Sequence, residues 1–164
     1  MNGDLLEDIY RRYYNDVYLY AYSLCRSRHK AQELTSDTFF KALLSCDRET
    51  PSMKYWLLRV CKNTFLDERR KERKRGLFPL DDLPLKANEQ DPLDQILQKD
   101  AEKSLYQAIL QLPEATREVL LLFYFHGFSG KQIADMTGRT PGAVRTLLYR
   151  ARTQLRDLLK GDLE

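Results

Sequence analysis

No run of about 18 consecutive apolar residues occurs in this chain, so no segment has the length to cross a bilayer as a helix. The opening residues, MNGDLLEDIYRRYY, place acids ahead of any apolar stretch, unlike a secretory leader, and the protein is expected to be cytoplasmic. Cysteine is sparse. Cys25, Cys46 and Cys61 are odd in number, well separated and form no Cys-x-x-Cys pair, which argues for reduced, mostly buried thiols rather than a disulfide framework. Histidine is sparser still. Cys25 and His29 stand one helical turn apart, but no second ligand pair completes a zinc site. His29 and His126 read as surface or helix-end residues rather than catalysts. There is no Gly-rich phosphate loop, no metal cluster and no nucleophile–base arrangement. No cofactor, metal, catalytic residue or small-molecule substrate is therefore expected. Alternating strand patterns of useful length are also missing.

What remains is a folded, all-α reading. Apolar residues make up 43% of the chain, enough for a core and too many for a disordered segment. The net charge of +3 says little, but its distribution says more. Residues 59–75 carry eight Lys or Arg against three acids, net +5, and residues 129–160 carry seven against two, also net +5. Between them, residues 79–102 hold two Lys against seven acids, net −5. Two basic segments flanking an acidic one point to two contacts with nucleic acid and a connector of different purpose.

Helical spacing organises the chain. Leu6, Ile9, Tyr13, Val17, Tyr20, Ala21 and Leu24 predict an amphipathic helix over 5–25, its tyrosines facing a core. A break at His29–Lys30 should precede a second helix over 31–44, with Leu34, Phe39, Ala42 and Leu43 available for packing. SCDRETPS (45–52) reads as a loop, and a third helix should run from 52 to 75 with Trp56, Val60 and Thr64 on one stripe and Leu57, Cys61 and Phe65 beside it. Pro79 and Pro84 mark a linker over 77–92. Asp91-Pro92 is a helix start that should continue to Gln111. Pro113 should open another helix, carrying Val119, Leu120, Leu122 and Phe123 and stopping at Gly127. The expected organisation is two small helical domains, 1–76 and 93–164, joined by a flexible acidic linker.

The segment 129–155 reads SGKQIADMTGRTPGAVRTLLYRARTQL. Ser129 and Gln132 can form a capping box. Gly138 suits the left-handed turn that ends a short helix. Thr140 can cap the next helix, with Pro141 at its first position. Val144, Leu147, Leu148, Ala151 and Leu155 would face inward, and Arg145, Thr146, Tyr149, Arg150 and Arg152 outward. This is the construction of a helix-turn-helix whose second helix enters the major groove.

Here the sequence resembles a known family. Leu112-Pro113, Ile133-Ala134, Gly142-Ala143-Val144 and Arg150-Ala151-Arg152 are similar to the signature of region 4 in the extracytoplasmic-function (ECF) sigma factors, small members of the sigma-70 family. AQELTSDTFFKAL (31–43) and WLLRVCKNTFLDERRK (56–71) resemble region 2 of the same family, in family order and spacing. The resemblance covers nearly the whole chain. Gln32, Thr35 and Ser36 make its docking segment less acidic than the family usually shows, and Gly130-Lys131 stands where an aromatic–acidic pair is commoner. No long extension at either end is expected.

The resemblance implies a transcription initiation factor rather than an enzyme. It implies core RNA polymerase as partner, met chiefly at the large-subunit coiled coil and the flap, with Gln32, Glu33, Ser36, Asp37, Phe39 and Phe40 on the docking segment. It implies promoter DNA as the second partner. At the −10 element, Asp47, Arg48 and Glu49 would line a pocket for a flipped base. Lys54, Tyr55, Arg59, Lys62, Asn63, Arg69, Arg70 and Lys71 would hold the opened strand. Trp56 reads as core rather than as a stacking surface. At the −35 element, Arg139, Thr140, Gly142, Arg145, Thr146, Tyr149, Arg150 and Arg152 would meet bases and phosphates. The acidic linker would thread polymerase channels, either mimicking RNA charge or serving as an extended spacer. An anti-sigma factor, in some family members anchored at the membrane, would hold the protein inactive. A stand-alone helix-turn-helix regulator is the alternative; it leaves residues 31–71 without a role.

Overall fold

Eight α-helices account for every regular element among the residues that the computed structural model describes, 3–46, 48–76 and 92–163. The chain divides into two compact units, Met1–Asp91 and Pro92–Glu164. The expected linker acids Asp81, Asp82, Glu89 and Asp91 lie outside the described residues, as does Asp47.

In the first unit, α1 (Gly3–Cys25), α2 (Arg28–Ser45) and α3 (Met53–Lys74) pack mutually. The buried face of α1 is wider than its apolar stripe predicts. Tyr18 and Leu19 join Ile9, Val17, Tyr20 and Ala21 inside, whereas Leu6, Tyr13 and Leu24 are half-buried. The cause is that α1 packs against both α2 and α3, so one stripe does not suffice. Helix α1 stops as Arg26 turns to φ +56. Ser27 then caps α2, its hydroxyl accepting the Lys30 N–H at 3.3 Å. The expected break at His29–Lys30 is therefore replaced by the first turn of α2.

Buried threonines line the inside of this unit. Thr35, Thr38 and Thr64 each donate to the carbonyl four residues back, Ala31, Leu34 and Val60, at 2.7 Å. Lys41 of α2 in turn donates to the Thr64 hydroxyl of α3 at 2.9 Å. Helix α3 buries Met53, Leu57, Leu58, Cys61 and Thr64. Leu57, Cys61 and Thr64 of the two expected stripes are buried, together with Leu58, whereas Trp56, read as core, and Val60 are only half-buried. Each such leucine contributes about 1.5–3 kcal/mol by leaving water.

The second unit contains α4 (Pro92–Ile96), α5 (Asp100–Leu110), α6 (Glu114–Tyr124), α7 (Gly130–Thr137) and α8 (Pro141–Leu163). The single helix expected over 91–111 is interrupted at 97–99. Leu93 before the break and Leu97 within it are both buried, and the Lys103 ammonium bridges back across it to the Asp94 carboxylate. Pro113 occupies the cap of α6 rather than its first turn, at φ −54 and ψ 151, and its carbonyl accepts the Thr116 hydroxyl at 2.9 Å. His126 takes the helix-end place of the two expected, just past α6, but not the surface one: it is 2% exposed, where the chain folds inward with buried Phe128. Tyr106, Ile109, Val119, Leu120, Ile133 and Val144 form the centre of the unit.

Candidate nucleic-acid and protein-binding surfaces

Local chemistry fixes α7 and α8 tightly. The Ser129 hydroxyl accepts the Gln132 N–H at 3.1 Å, and the Ser129 N–H donates to the Gln132 side-chain carbonyl at 2.9 Å. Gly138 adopts φ +67, a conformation that a side chain resists. The Thr140 hydroxyl accepts the Ala143 N–H at 3.1 Å and starts α8 at Pro141.

Helix α8 is two-sided. Val144, Leu148, Ala151 and Leu155 are buried against the unit, with Leu147 half-buried. Arg145, Thr146, Tyr149, Arg150 and Arg152 are exposed, and Tyr149 reaches 73%. The Arg145 guanidinium folds back over the first turn: a methyl placed on Gly142 would lie 3.6 Å from its Nη2. The Thr146 hydroxyl donates to the Gly142 carbonyl at 3.1 Å. Arg139 and Thr140 are exposed in the turn. Cations thus sit where the positive helix end already favours an anion. Arg152 is held differently, its guanidinium 5.3 Å above the Phe123 ring.

A second cationic surface runs along α3. Arg59, Asn63 and Arg70 share one exposed stripe, and Lys71 adjoins it. Arg59 lies 5.7 Å from the Tyr55 ring centre and Arg69 lies 5.4 Å from that of Phe65. Arg70 pairs with Asp67 at 2.5 Å and Lys71 with Glu68 at 3.9 Å. Such exposed pairs within one helix are weak and exchange readily for a phosphate. Lys54, Tyr55 and Lys62 are half-buried nearer the helix start. Arg48 is exposed in the preceding loop, whereas Glu49 is half-buried, its Oε1 accepting from Arg12 at 2.5 Å and from the Tyr13 hydroxyl at 3.0 Å. The nearby carboxylate raises the Arg12 pKa; burial, then Glu49, raises that of Tyr13.

A third surface lies on α2. Gln32, Glu33, Ser36, Asp37 and Phe40 are exposed on one side, whereas Phe39 is buried edge-on against Tyr10. Phe40 is 60% exposed and Leu44 is 70% exposed. Beside them an apolar hollow of about 350 Å³ is lined by Leu6, Tyr10, Phe39, Phe40 and Leu43. Glu33 pairs with His29 at 3.1 Å.

Sequence reasoning did not single out Arg12, Leu44 or the hollow, and read Tyr13 only as facing the core. Helical spacing marks Leu44 and Phe40 as one stripe, but nothing in it reveals that neither α1 nor α3 covers them. Among the described residues, no group of three His, Cys, Asp or Glu is arranged to hold a metal. Among them too, no helix is long and apolar enough to cross a membrane. The three cysteines are free thiols; burial raises the Cys25 pKa to about 12 and raises that of Cys61 as well.

Comparison with known proteins agrees with both units. Residues 9–75 match the Sigma-70 region 2 model and residues 102–155 match Sigma-70, region 4. The chain is 31% identical to the ECF RNA polymerase sigma factor SigM of Bacillus subtilis, over 93% of this chain and 94% of that one. It is also 31% identical to the RNA polymerase sigma factor YlaC of the same organism, over 93% and 91%. Among solved structures, the sigma factor RpoE of Bartonella quintana, in complex with the anti-sigma factor NepR, superposes with a TM-score of 0.64 at 28% identity, covering 88% of this chain and 90% of that one. The chain belongs to the ECF family of RNA polymerase sigma factors, which direct the polymerase to promoters and so start transcription.

Proposed function

We propose that the work is divided between the two units. Residues 1–76 act as region 2: the α2 face with Glu33, Asp37 and Phe40 docks on the polymerase coiled coil. The 45–53 loop captures a flipped base of the −10 element, and the α3 cations hold the opened strand. Residues 93–164 act as region 4, with the exposed face of α8 reading the −35 element. Residues 77–92 connect them. The protein acts in the cytoplasm, catalyses no reaction itself and is released from an anti-sigma factor to become active. The observation that carries this reading is the two-sided build of α8, which frees Arg145, Thr146, Tyr149 and Arg150 for DNA. Exposed apolar surface at Phe40 and Leu44, beside acids, supports a protein partner on α2.

Reconstitution tests it. The purified protein and core polymerase are expected to form a complex that transcribes from promoters identified by sequencing the RNAs made on overexpression. Absence of a complex, or transcription starts that share no upstream element, would sink it. Dimers on a palindromic duplex site would instead favour the stand-alone regulator. The acidic connector is proposed to mimic RNA charge. Neutralising Asp81, Asp82, Glu89 and Asp91 is expected to change the ratio of abortive to full-length transcripts; an unchanged ratio makes it a spacer. Asp94 stands apart from these acids, because it lies in α4 and is bridged by Lys103.

A further inference from the structure

One carboxylate oxygen joins the loop between α2 and α3 to a third helix. Glu49 Oε1 accepts from Arg12 at 2.5 Å and from the Tyr13 hydroxyl at 3.0 Å, partners 37 and 36 residues distant in sequence. Among the described residues, three further ties are local. Cys46 N–H donates to Ala42, its thiol to the Arg48 carbonyl, and Met53 N–H to Thr50. Local ties shape the loop; the Glu49 pair also ties it to the bundle. The Glu49 side chain is 23% exposed and that of Arg12 61%, so water screens the pair from one side more than from the other. An acceptor oxygen already shared by a guanidinium and a phenol is poorly placed to read a base edge as well.

We infer that Arg12 and Tyr13 are positioning residues for −10 recognition: through Glu49 they hold the 45–53 loop in the form that receives the flipped base. The inference rests on the proposed −10 role of that loop. A loop tied beforehand loses less freedom when the base arrives, so selectivity and capture improve without a new contact to DNA. Arg48, exposed beside Glu49, stays free to meet the nucleotide. The tie acts at base capture, so polymerase docking on α2 and −35 reading by α8 are left untouched.

The test uses full-length protein in holoenzyme with core polymerase. Two readouts apply: relative transcription from templates differing at single −10 positions, and the fluorescence of 2-aminopurine placed in the −10 element. Arg12→Ala and Glu49→Gln are each expected to lower −10 discrimination and the fluorescence rise about threefold to tenfold. The double variant should lose no more than either single one. Arg12→Lys should recover part of the loss, and Tyr13→Phe should show a smaller one. Polymerase affinity and −35 selectivity should not move. Arg48→Ala separates the two levels of the argument. If it alters −10 preference while Arg12→Ala, Arg12→Lys and Tyr13→Phe do not, the positioning role is overturned and the loop's role stands. If none of the variants alters it, both are overturned. Additive losses in the double variant also overturn the positioning role. Should Arg12→Ala lose its cooperative melt, Arg12→Lys and Tyr13→Phe carry the same decision.

Discussion

Arg152 of α8 lies with its guanidinium carbon 5.3 Å from the centre of the Phe123 ring, at the end of α6. Phe123 in turn meets Tyr124 edge-on, with ring centres 5.4 Å apart. The cation is therefore part of the packing of α8 on α6 as well as of the basic face. A double-mutant cycle of Arg152→Ala and Phe123→Ala is expected to give a coupling of about 0.5–1 kcal/mol in urea unfolding. A coupling near zero would assign Arg152 to DNA alone.

The turn before α8 makes a sharper stability prediction. Gly138 sits at φ +67 with open space around it, so a methyl there meets backbone strain and no clash. Gly138→Ala should cost about 1–2 kcal/mol. Gly130, also in open space but in the first turn of α7, supplies the contrast. Gly130→Ala should be neutral or stabilise by up to about 1 kcal/mol. Thermal melts of the two variants side by side test the pair; equal effects would contradict the strain account.

Two cations are proposed to separate base reading from phosphate holding. Arg145→Ala is expected to cost about 1–3 kcal/mol and to relax selectivity at one −35 position. Lys71→Ala should weaken binding evenly across sequences and reduce the salt slope by about one. Binding isotherms over a salt series on promoter variants distinguish the outcomes. Even weakening by Arg145→Ala would make it a phosphate contact instead.

Thiol reactivity should follow burial. Burial pushes the Cys25 thiol up to about 12 and pushes Cys61, wholly inside the unit, up as well. The thiolate is the attacking form, so both stay protonated and unreactive at pH 8, and their reaction should rise only as pH climbs towards the raised values. Cys46, in the loop, is expected to alkylate first with iodoacetamide in the native protein. Mass spectrometry after a short pulse reads the order; early labelling of Cys61 would show that the bundle opens.

The parts of the molecule legible in sequence are those set by near neighbours. Ser129, Gln132, Gly138, Thr140 and Pro141 announce α7 and α8 because capping and left-handed turns are decided within a few residues. Longer-range decisions were not legible. The apolar pattern runs unbroken through 97–99, yet the helix stops there. Ser27 caps α2 ahead of polar residues that resemble a break. His126 is buried because the chain beyond α6 turns inward, and Trp56 is displaced from the core by Leu57 and Leu58. Most of the proposed DNA surface could be read from clustered cations. The Arg12–Glu49 pair could not, because 37 residues separate its members.

The buried hydroxyls of Thr35, Thr38 and Thr64 bond within their own helices. A helix built this way carries its polar partners along when it moves. Small slides or rotations of α2 against its neighbours strand none of these hydroxyl protons in the interior. The Lys41–Thr64 bond and the Thr38–Cys61 contact between α2 and α3 must follow such a movement; the rest of the three-way fit is governed by the shapes of apolar side chains and tolerates adjustment.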